Sequence, residues 1–416
     1  MSESSQKKFF WGASTASHQV EGNNYNQWTV WEELNAEKLA ANAKKSYSYL
    51  KNWDEIKTQA TNPNNYLSSN GVDHYNRFEE DFDLAKSIGL NSFRFSIEWS
   101  RIEPNEGEWN QVEIDHYKKY ILEMHKKGLE PFMNIWHWTM PVWFTGMGGF
   151  EKKKNLRYFD RFVKKIAEEF LVDVSYILVL NEPLVYASMS YLSGNWPPNL
   201  KRPIRTIIVL VNLTRAHKIA YRNLKARKPS IKVGIAAHIT NFKTAKNNFV
   251  GKTVVKISDY LWNLWFLNRI EQELDFVGIN HYFTNYFKDW KFNNNPDKPV
   301  SDMGWYMEPA SLDLAIENIW FKYKKPIIIS ENGLADRNDK NRKWWLEETF
   351  TSLNRSKKKG VELFGYLHWS LLDNFEWAYG WWPNFGLISV NRDSMERSKR
   401  KSSEYYSSFI KKHQDL

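Results

Sequence analysis

Short apolar runs alternate along this chain with longer stretches whose apolar residues recur every three or four positions. The runs are Phe9–Ala13, Ser92–Ile97, Glu130–Ile135, Ile177–Leu180, Lys232–Ala237, Asp275–Ile279, Ile327–Ser330 and Leu363–Leu367. Apolar runs of this length, bounded by breakers, read as strands buried on both faces. Between them, Tyr75 to Ile88 sets Phe78, Phe82, Leu84, Ala85 and Ile88 on one side of a helix, opposite Glu79, Glu80, Asp81 and Lys86. Tyr117 to Lys127 and Phe159 to Phe170 carry the same pattern. Strand–helix alternation predicts a parallel sheet covered by helices. Eight such strands predict a single-domain (β/α)8 TIM barrel over residues 1–416, with a rim insertion at about 35–70.

In such a barrel, functional groups gather at the C-terminal ends of the strands. Reading past each run gives Gln19, then Arg94, Glu98 and Trp99, then His137 and Trp138, then Asn181 and Glu182. His238 follows, then Asn280 and Tyr282, then Glu331, and last Trp369 with Glu376 and Trp377 beyond. Polar and aromatic groups suited to a sugar thus recur around the rim. Two runs stop at a glutamate beside a turn, in Asn181-Glu182-Pro183 and in Glu331-Asn332-Gly333. Each glutamate taken alone is an ordinary loop carboxylate. Together, on separate strands, they are the minimum equipment for cleaving a glycosidic bond. One carboxyl must be protonated to serve the leaving oxygen, and the other ionised to attack the anomeric carbon. In retaining enzymes the two sit about 5–5.5 Å apart. Glu182 is the expected acid/base and Glu331 the expected nucleophile. Arg94 is the candidate cation that keeps the nucleophile charged. Tyr282 is the candidate to orient it, and Asn181 to bind the sugar 2-hydroxyl.

Composition removes other classes. The formal charge of +10 suggests an acidic partner, but Lys152–Lys154, Lys357–Lys359 and Arg397–Lys401 are short and far apart. They read as solvated surface, with no nucleic-acid partner. The 21 Trp, 21 Tyr and 25 Phe fill the core and also suit a cleft that stacks on pyranose faces. There is no cysteine and no His-Glu-x-x-His motif, so no metal and no cofactor is expected. Gly146-Met147-Gly148-Gly149 has the wrong spacing for a phosphate loop. Met1–Lys8 lacks the apolar core of a signal peptide, and no apolar stretch approaches a bilayer span. The expected setting is cytoplasmic with no membrane contact, and a homo-oligomer stays open.

The motifs then add a resemblance. Phe10-Trp11-Gly12-Ala13-Ser14-Thr15-Ala16 leads to Gln19-Val20-Glu21-Gly22, and Phe93-Arg94-Phe95-Ser96-Ile97-Glu98-Trp99 follows on the second strand. With His137-Trp138, Asn181-Glu182-Pro183, Ser330-Glu331-Asn332-Gly333 and Trp369-Ser370-Leu371-Leu372-Asp373-Asn374-Phe375-Glu376-Trp377, they cover Phe10 to about Ile388. In this the chain resembles glycoside hydrolase family 1, the β-glucosidase and β-galactosidase family. The resemblance implies sugar binding by Gln19, His137, Trp138, Asn280, Trp369, Glu376, Trp377 and Phe385, with Trp305 on the leaving-group side. Glu376 would take a pair of sugar hydroxyls and repel a phosphate, so unphosphorylated sugars are expected. His18, Val179, His281 and Ser330 depart from the family pattern, and Val179 and His281 are expected to reshape the pocket or shift the pH profile. The short stretch from Ala237 to Asp275 implies a low wall on the leaving-group side. The expected activity is that of a retaining exo-β-glycosidase on small β-glycosides or oligosaccharides. Its sugar would be terminal non-reducing β-D-glucose, with galactose and fucose accepted. A transglycosidase and a non-catalytic carbohydrate-binding barrel are the alternatives.

Overall fold

A computed structural model describes residues 9–245, 248–288, 290–293, 295 and 297–413. Met1–Lys8, where the leader was considered, lie outside the described residues. Eight strands form a closed barrel: β1 (Phe10–Ser14), β2 (Ser92–Ser96), β3 (Glu130–Trp136), β4 (Tyr176–Asn181), β5 (Lys232–His238), β6 (Phe276–Asn280), β7 (Ile327–Asn332) and β8 (Leu363–Trp369). Every neighbouring pair is parallel, and β1 closes the ring on β8, with Phe10 opposite Gly365 and Ser14 opposite Trp369. Each predicted run lies on one of these strands, within two residues of its ends. The runs were legible because helices cover the outer face while side chains fill the inner one.

The lower end of the barrel is plugged by rings. Phe132 and Tyr176 stack at 4.6 Å, with Phe10 and Phe364 edge-on to Tyr176 at 5.4 Å and stacked on it at 5.9 Å. Phe276, Ile328, Leu178 and Leu367 complete this layer. This layer fills the barrel at its lower end.

Helix Leu156–Phe170 buries Phe159, Phe162, Val163, Ile166 and Phe170 against the barrel, as its period requires. Helix starts were harder to read. The helix expected from Tyr117 begins at Gln111, because Asn110 caps it by accepting from the Val112 and Glu113 N–H groups. The rim insertion likewise begins earlier than residue 35. Asn26 and Thr29 form a capping box that starts a helix over Gln27–Tyr47, followed by Trp53–Ala60 and a short turn at Pro63–Tyr66. Two strand pairs outside the barrel escaped the sequence. Asn241–Thr244 runs parallel to Thr284–Phe287, and Ile388–Val390 pairs antiparallel with Arg397–Lys399. They are short and mostly half-exposed, so they lack the apolar run that marks a barrel strand. Among the described residues no helix is long and apolar enough to cross a membrane.

Candidate active site

Glu182 sits between the end of β4 and the helix that opens at Pro183. Its backbone is left-handed, with φ at 40°, and its N–H donates to the Ala236 carbonyl of β5 at 2.8 Å. Trp138 (φ 73°) and Trp377 (φ 51°) share this conformation. Each such residue costs about 1–3 kcal/mol, and such strain gathers where a side chain must be aimed. Glu331 ends the apolar part of β7. Its backbone carbonyl accepts from the His281 N–H at 2.9 Å. Two residues on, a Cβ at Gly333 would lie 1.8 Å from the Trp369 carbonyl, so only glycine lets β7 and β8 approach here.

A buried network joins the two carboxyls. Arg94 donates through Nη1 to Glu331 Oε1 and through Nη2 to Asn181 Oδ1 at 2.7 Å. Tyr282 donates to the other Glu331 oxygen at 2.6 Å. Arginine has only donors and the Tyr282 hydroxyl donates to Oε2, so both Glu331 oxygens accept, the pattern of an ionised carboxylate. Asn280 Nδ2 donates to Glu182 Oε1 at 2.8 Å and to Asn181 Oδ1 at 3.2 Å, while Asn280 Oδ1 accepts from Ser330 at 2.7 Å. The Arg94 donor fixes the Asn181 amide, so Asn181 Nδ2 donates to His137 Nε2 at 3.0 Å. His137 is kept neutral by burial and by the Arg94 charge, which hold its pKa well below the usual value. Its proton is therefore on Nδ1, which has no protein partner.

Above this network lies a cavity of about 240 Å³. Gln19, His137, Trp138, Glu182, Tyr282, Trp305, Glu331, Trp369, Glu376, Trp377 and Phe385 all line it, as do Trp196, His238 and Trp262. Polar atoms are pre-placed there. Gln19 donates to the Phe375 carbonyl at 2.7 Å, leaving its Oε1 without a protein partner. Glu376 Oε2 accepts from Asn374 at 3.0 Å and from Gln19 at 3.4 Å. His137 lies nearly parallel to Trp369 and to Trp377, each 6.0 Å away.

Burial, and then the charge on Glu331, push the Glu182 carboxyl well above the usual range; the Asn280 hydrogen bond and Arg94 oppose this. Burial also raises Glu376, to about 8. Burial and the Glu331 charge raise the Tyr282 phenol, so it stays a donor. The two glutamates at the strand ends are thus in different states, one holding a proton and one accepting from Arg94 and Tyr282. Among the described residues no group of three or more His, Asp or Glu side chains is arranged to hold a metal ion.

Arg94, the candidate cation beside the nucleophile, makes its ion pair with Glu331. Asn181 and Asn280, expected to bind sugar, are fully buried beneath the cavity and take part in the network that holds the carboxyls, with Asn181 giving one of its two amide hydrogens to His137. Other positions differ from expectation. Glu98 accepts from Ser17, Ser100 and Thr139, each at 2.9 Å, and braces loops from behind. Trp99 packs between Phe144 and Phe162 in the core. Neither lines the cavity: Glu98 keeps extended backbone where Glu182 is left-handed, and Trp99 opens a short helix that packs on the core. Val179 and His281 are also fully buried, and neither touches the cavity. His18 stacks on Trp377 and pairs with Glu32 at 2.7 Å, which sets it behind the cavity. The rim insertion acquires a role no motif announced. Asn65 donates to the Tyr379 carbonyl at 3.0 Å and its Oδ1 accepts from the Trp381 N–H at 3.0 Å, holding the loop that carries Glu376 and Trp377. Trp196 and Trp262 were missed because both lie far from any strand end in sequence.

A closed barrel with two unlike carboxyls above its strand ends, ringed by aromatics, is the architecture of a glycosidase. The chain matches glycosyl hydrolase family 1 over residues 1–270 and 266–415, and it belongs to that family. It is 28% identical to beta-glucosidase A of Acetivibrio thermocellus, over 97% of this chain and 98% of that one. A galactolipid galactosyltransferase of Arabidopsis thaliana is 29% identical, over 80% of this chain and 57% of its own length. Among solved structures, the beta-glucosidase from Thermotoga maritima in complex with glucoimidazole superposes with a TM-score of 0.86 at 26% identity. That match covers 98% of both chains. The protein is an O-glycosyl hydrolase of the β-glucosidase kind.

Proposed function

We propose that this chain is a single catalytic domain that hydrolyses terminal β-D-glucosides with retention, accepting β-D-galactosides and β-D-fucosides as well. It works in the cytoplasm on unphosphorylated small glycosides, with no cofactor or metal. The observation that carries this reading is the contrast between Glu182, which burial keeps protonated, and Glu331, whose oxygens accept from Arg94 and Tyr282. Glu331 attacks the anomeric carbon while Glu182 gives its proton to the departing oxygen, so the leaving group departs as a neutral alcohol. Glu182, now ionised, takes a proton from water, and the water oxygen displaces the Glu331 ester. Both inversions together keep the β configuration. Arg94, Asn181, Asn280 and Tyr282 position the two carboxyls. Gln19, His137 and Glu376 offer an acceptor, a donor and a carboxyl to sugar hydroxyls, and Trp138, Trp369, Trp377 and Phe385 offer ring faces. Trp305, which packs on Phe283 at 5.0 Å and lines the cavity, offers a ring face to the leaving group.

Hydrolysis of matched nitrophenyl β-glycosides of glucose, galactose, fucose and glucose 6-phosphate tests the reading. Turnover of the neutral sugars and rejection of the phosphate is expected. A second reading, transfer of the sugar to an alcohol in place of water, is favoured by the galactosyltransferase relative. Its signature is a growing share of glycosylated acceptor as acceptor concentration rises.

The raised Glu182 pKa makes a pH prediction. The first step needs the protonated acid, so kcat/KM is lost only as pH climbs through that raised value. The alkaline limb of the profile is expected well above the ordinary carboxylate range, and Glu182→Gln is expected to remove it. An alkaline limb that survives in the variant contradicts the assignment.

Glu376 makes another prediction, on stability. Burial pushes its carboxyl up to about 8 in the folded chain, from the usual 4.5 of a free glutamate. Both forms are protonated below the lower value, so there is no penalty there. As pH rises between the two, the unfolded chain ionises first and the fold loses a few kcal/mol. Glu376→Gln escapes this loss. Its melting temperature relative to wild type is expected to rise between about pH 5 and about pH 8, while KM for glucosides increases. Parallel melting curves across that range would contradict the account.

A further inference from the structure

We infer that the exposed apolar face between residues 192 and 292 docks on an anionic phospholipid surface. This goes beyond the glycosidase reading and does not depend on it, since binding is measured without turnover. Charge is the first observation. Over residues 183–270 the chain carries fifteen Lys or Arg and a single acid, Asp259, a net of +14 in 88 residues. The rest of the chain is therefore −4, although the whole is +10. No short run announces this asymmetry, because the cations are spread along the segment. Charge segregated in this way marks contact with an anionic surface. Arg205, Lys218, Lys225 and Lys243 are paired, with Glu151, Glu273, Asp275 and Glu308. Lys201, Arg202, Lys252, Lys256 and Lys291 are exposed and, among the described residues, make no ion pair.

These unpaired cations stand among exposed apolar side chains. Of the 21 large apolar side chains exposed among the described residues, eleven lie between Leu192 and Phe292. Phe249 is 83% exposed, Trp290 79% and Ile204 75%, so these three project into solvent. The patch is continuous. Ile207, Leu261 and Phe292 line one groove, Phe292 and Trp290 pack on Phe287 at 5.2 and 6.0 Å, and Trp290 shares a hollow with Val250. Helix Phe249–Asp259 buries only Gly251, although it carries Val250, Val254, Val255 and Ile257. A helix of eleven residues is marginal in water until its apolar side chains find a partner. Monomers rarely leave so large a contiguous apolar patch uncovered. Apolar side chains interleaved with lysines match an anionic bilayer: the rings and branched chains enter the headgroup boundary while the ammonium groups meet phosphates. A nucleic acid would use the cations and leave the aliphatic side chains in water. A second copy, in a two-fold contact, would set two cationic faces together. The expectation of no membrane contact came from the lack of a span, and a surface contact needs none.

The test is sedimentation of the full chain with vesicles of phosphatidylcholine alone, or of phosphatidylcholine and phosphatidylglycerol in equal parts, at low and high salt. Binding to the mixed vesicles is expected to be about tenfold tighter or more, and to weaken as salt rises. Near an anionic surface each cation is worth about fivefold in affinity, so Lys252→Glu with Lys256→Glu is expected to weaken binding about 25-fold or more. Lys201→Glu with Arg202→Glu, ahead of a different helix, is expected to do the same, so the test survives if one pair misfolds. Phe249→Ser with Trp290→Ser is expected to weaken binding about tenfold or more at unchanged charge. None of these six residues lines the catalytic cavity, so circular dichroism and unchanged nitrophenyl β-glucoside turnover both report folding. Equal affinity for the two vesicle types, or no vesicle binding, by folded protein would overturn the inference. So would folded variants that bind as wild type does. Dimerisation that Phe249→Ser with Trp290→Ser abolishes would give the face to a second copy. Binding of duplex DNA that the same variant keeps would give it to a nucleic acid. Either result without vesicle binding overturns the inference as well. Absence of glucoside turnover counts against the glycosidase reading alone and leaves the vesicle result standing.

Discussion

Glu331→Ala is expected to lower kcat on nitrophenyl β-glucoside by at least about 10⁴-fold, measured under saturating substrate. Among the described residues, the other two carboxyls that line the cavity, Glu182 and Glu376, are both pushed toward the protonated form by burial. The substitution also strands Arg94, which is fully buried and makes its ion pair with Glu331. An uncompensated buried charge costs about 3–5 kcal/mol, so folding should be checked by circular dichroism, with Glu331→Gln as the milder variant. Small anions give a sharper readout than loss alone. Azide entering the space left by Glu331 attacks the face the carboxylate used, so the product expected is the α-glycosyl azide. Activity within tenfold of wild type in a folded variant contradicts the nucleophile assignment.

Glu182→Ala is expected to cost about 10²–10⁴-fold, and the cost should depend on the leaving group. Nitrophenolate departs without a proton, whereas an alkoxide does not. Methyl or octyl glucosides should therefore suffer far more than nitrophenyl glucoside in the first step. The ester then accumulates, because nothing deprotonates water. Azide needs no base, and here it attacks the ester from the opposite face, so the product expected is the β-glycosyl azide. Opposite azide products from the two variants would separate acid/base from nucleophile in a way that rate losses cannot. Equal losses on alkyl and nitrophenyl substrates contradict the acid role.

The eight barrel strands were legible because burial on both faces writes a continuous apolar run, and each run ended near a rim residue. The two glutamates were legible because each stands at the end of such a run beside a turn. Arg94 was legible as a lone cation inside an apolar strand. What the sequence hid is mostly long-range. Glu98 and Trp99 follow β2 much as Glu182 follows β4, and a short helix opens after each glutamate, but Glu98 keeps extended backbone and accepts from Ser17, Ser100 and Thr139, whereas Glu182 is left-handed and lines the cavity. Asn181 and Asn280 carry chemistry suited to a sugar, and only the fold shows that Arg94 and Glu182 claim their amides. Trp196 and Trp262 come from outside the strand ends, and Asn65 acts across some three hundred residues on the loop that carries Glu376. The helix starts at Gln27 and Gln111 were missed because their signal is the capping asparagine, Asn26 or Asn110, which lies outside the apolar period.

The central claim is that Glu331 becomes covalently attached to the sugar. Incubation with 2-deoxy-2-fluoro-β-glucosyl fluoride tests it directly. The ring fluorine slows both steps, while the fluoride leaving group keeps the first step fast enough to trap the ester. Peptide mass spectrometry is expected to find one fluoroglucosyl group, on the peptide containing Glu331, and none in Glu331→Ala. Attachment at any other residue, or turnover with no adduct and the α-anomer as first product, would contradict the account.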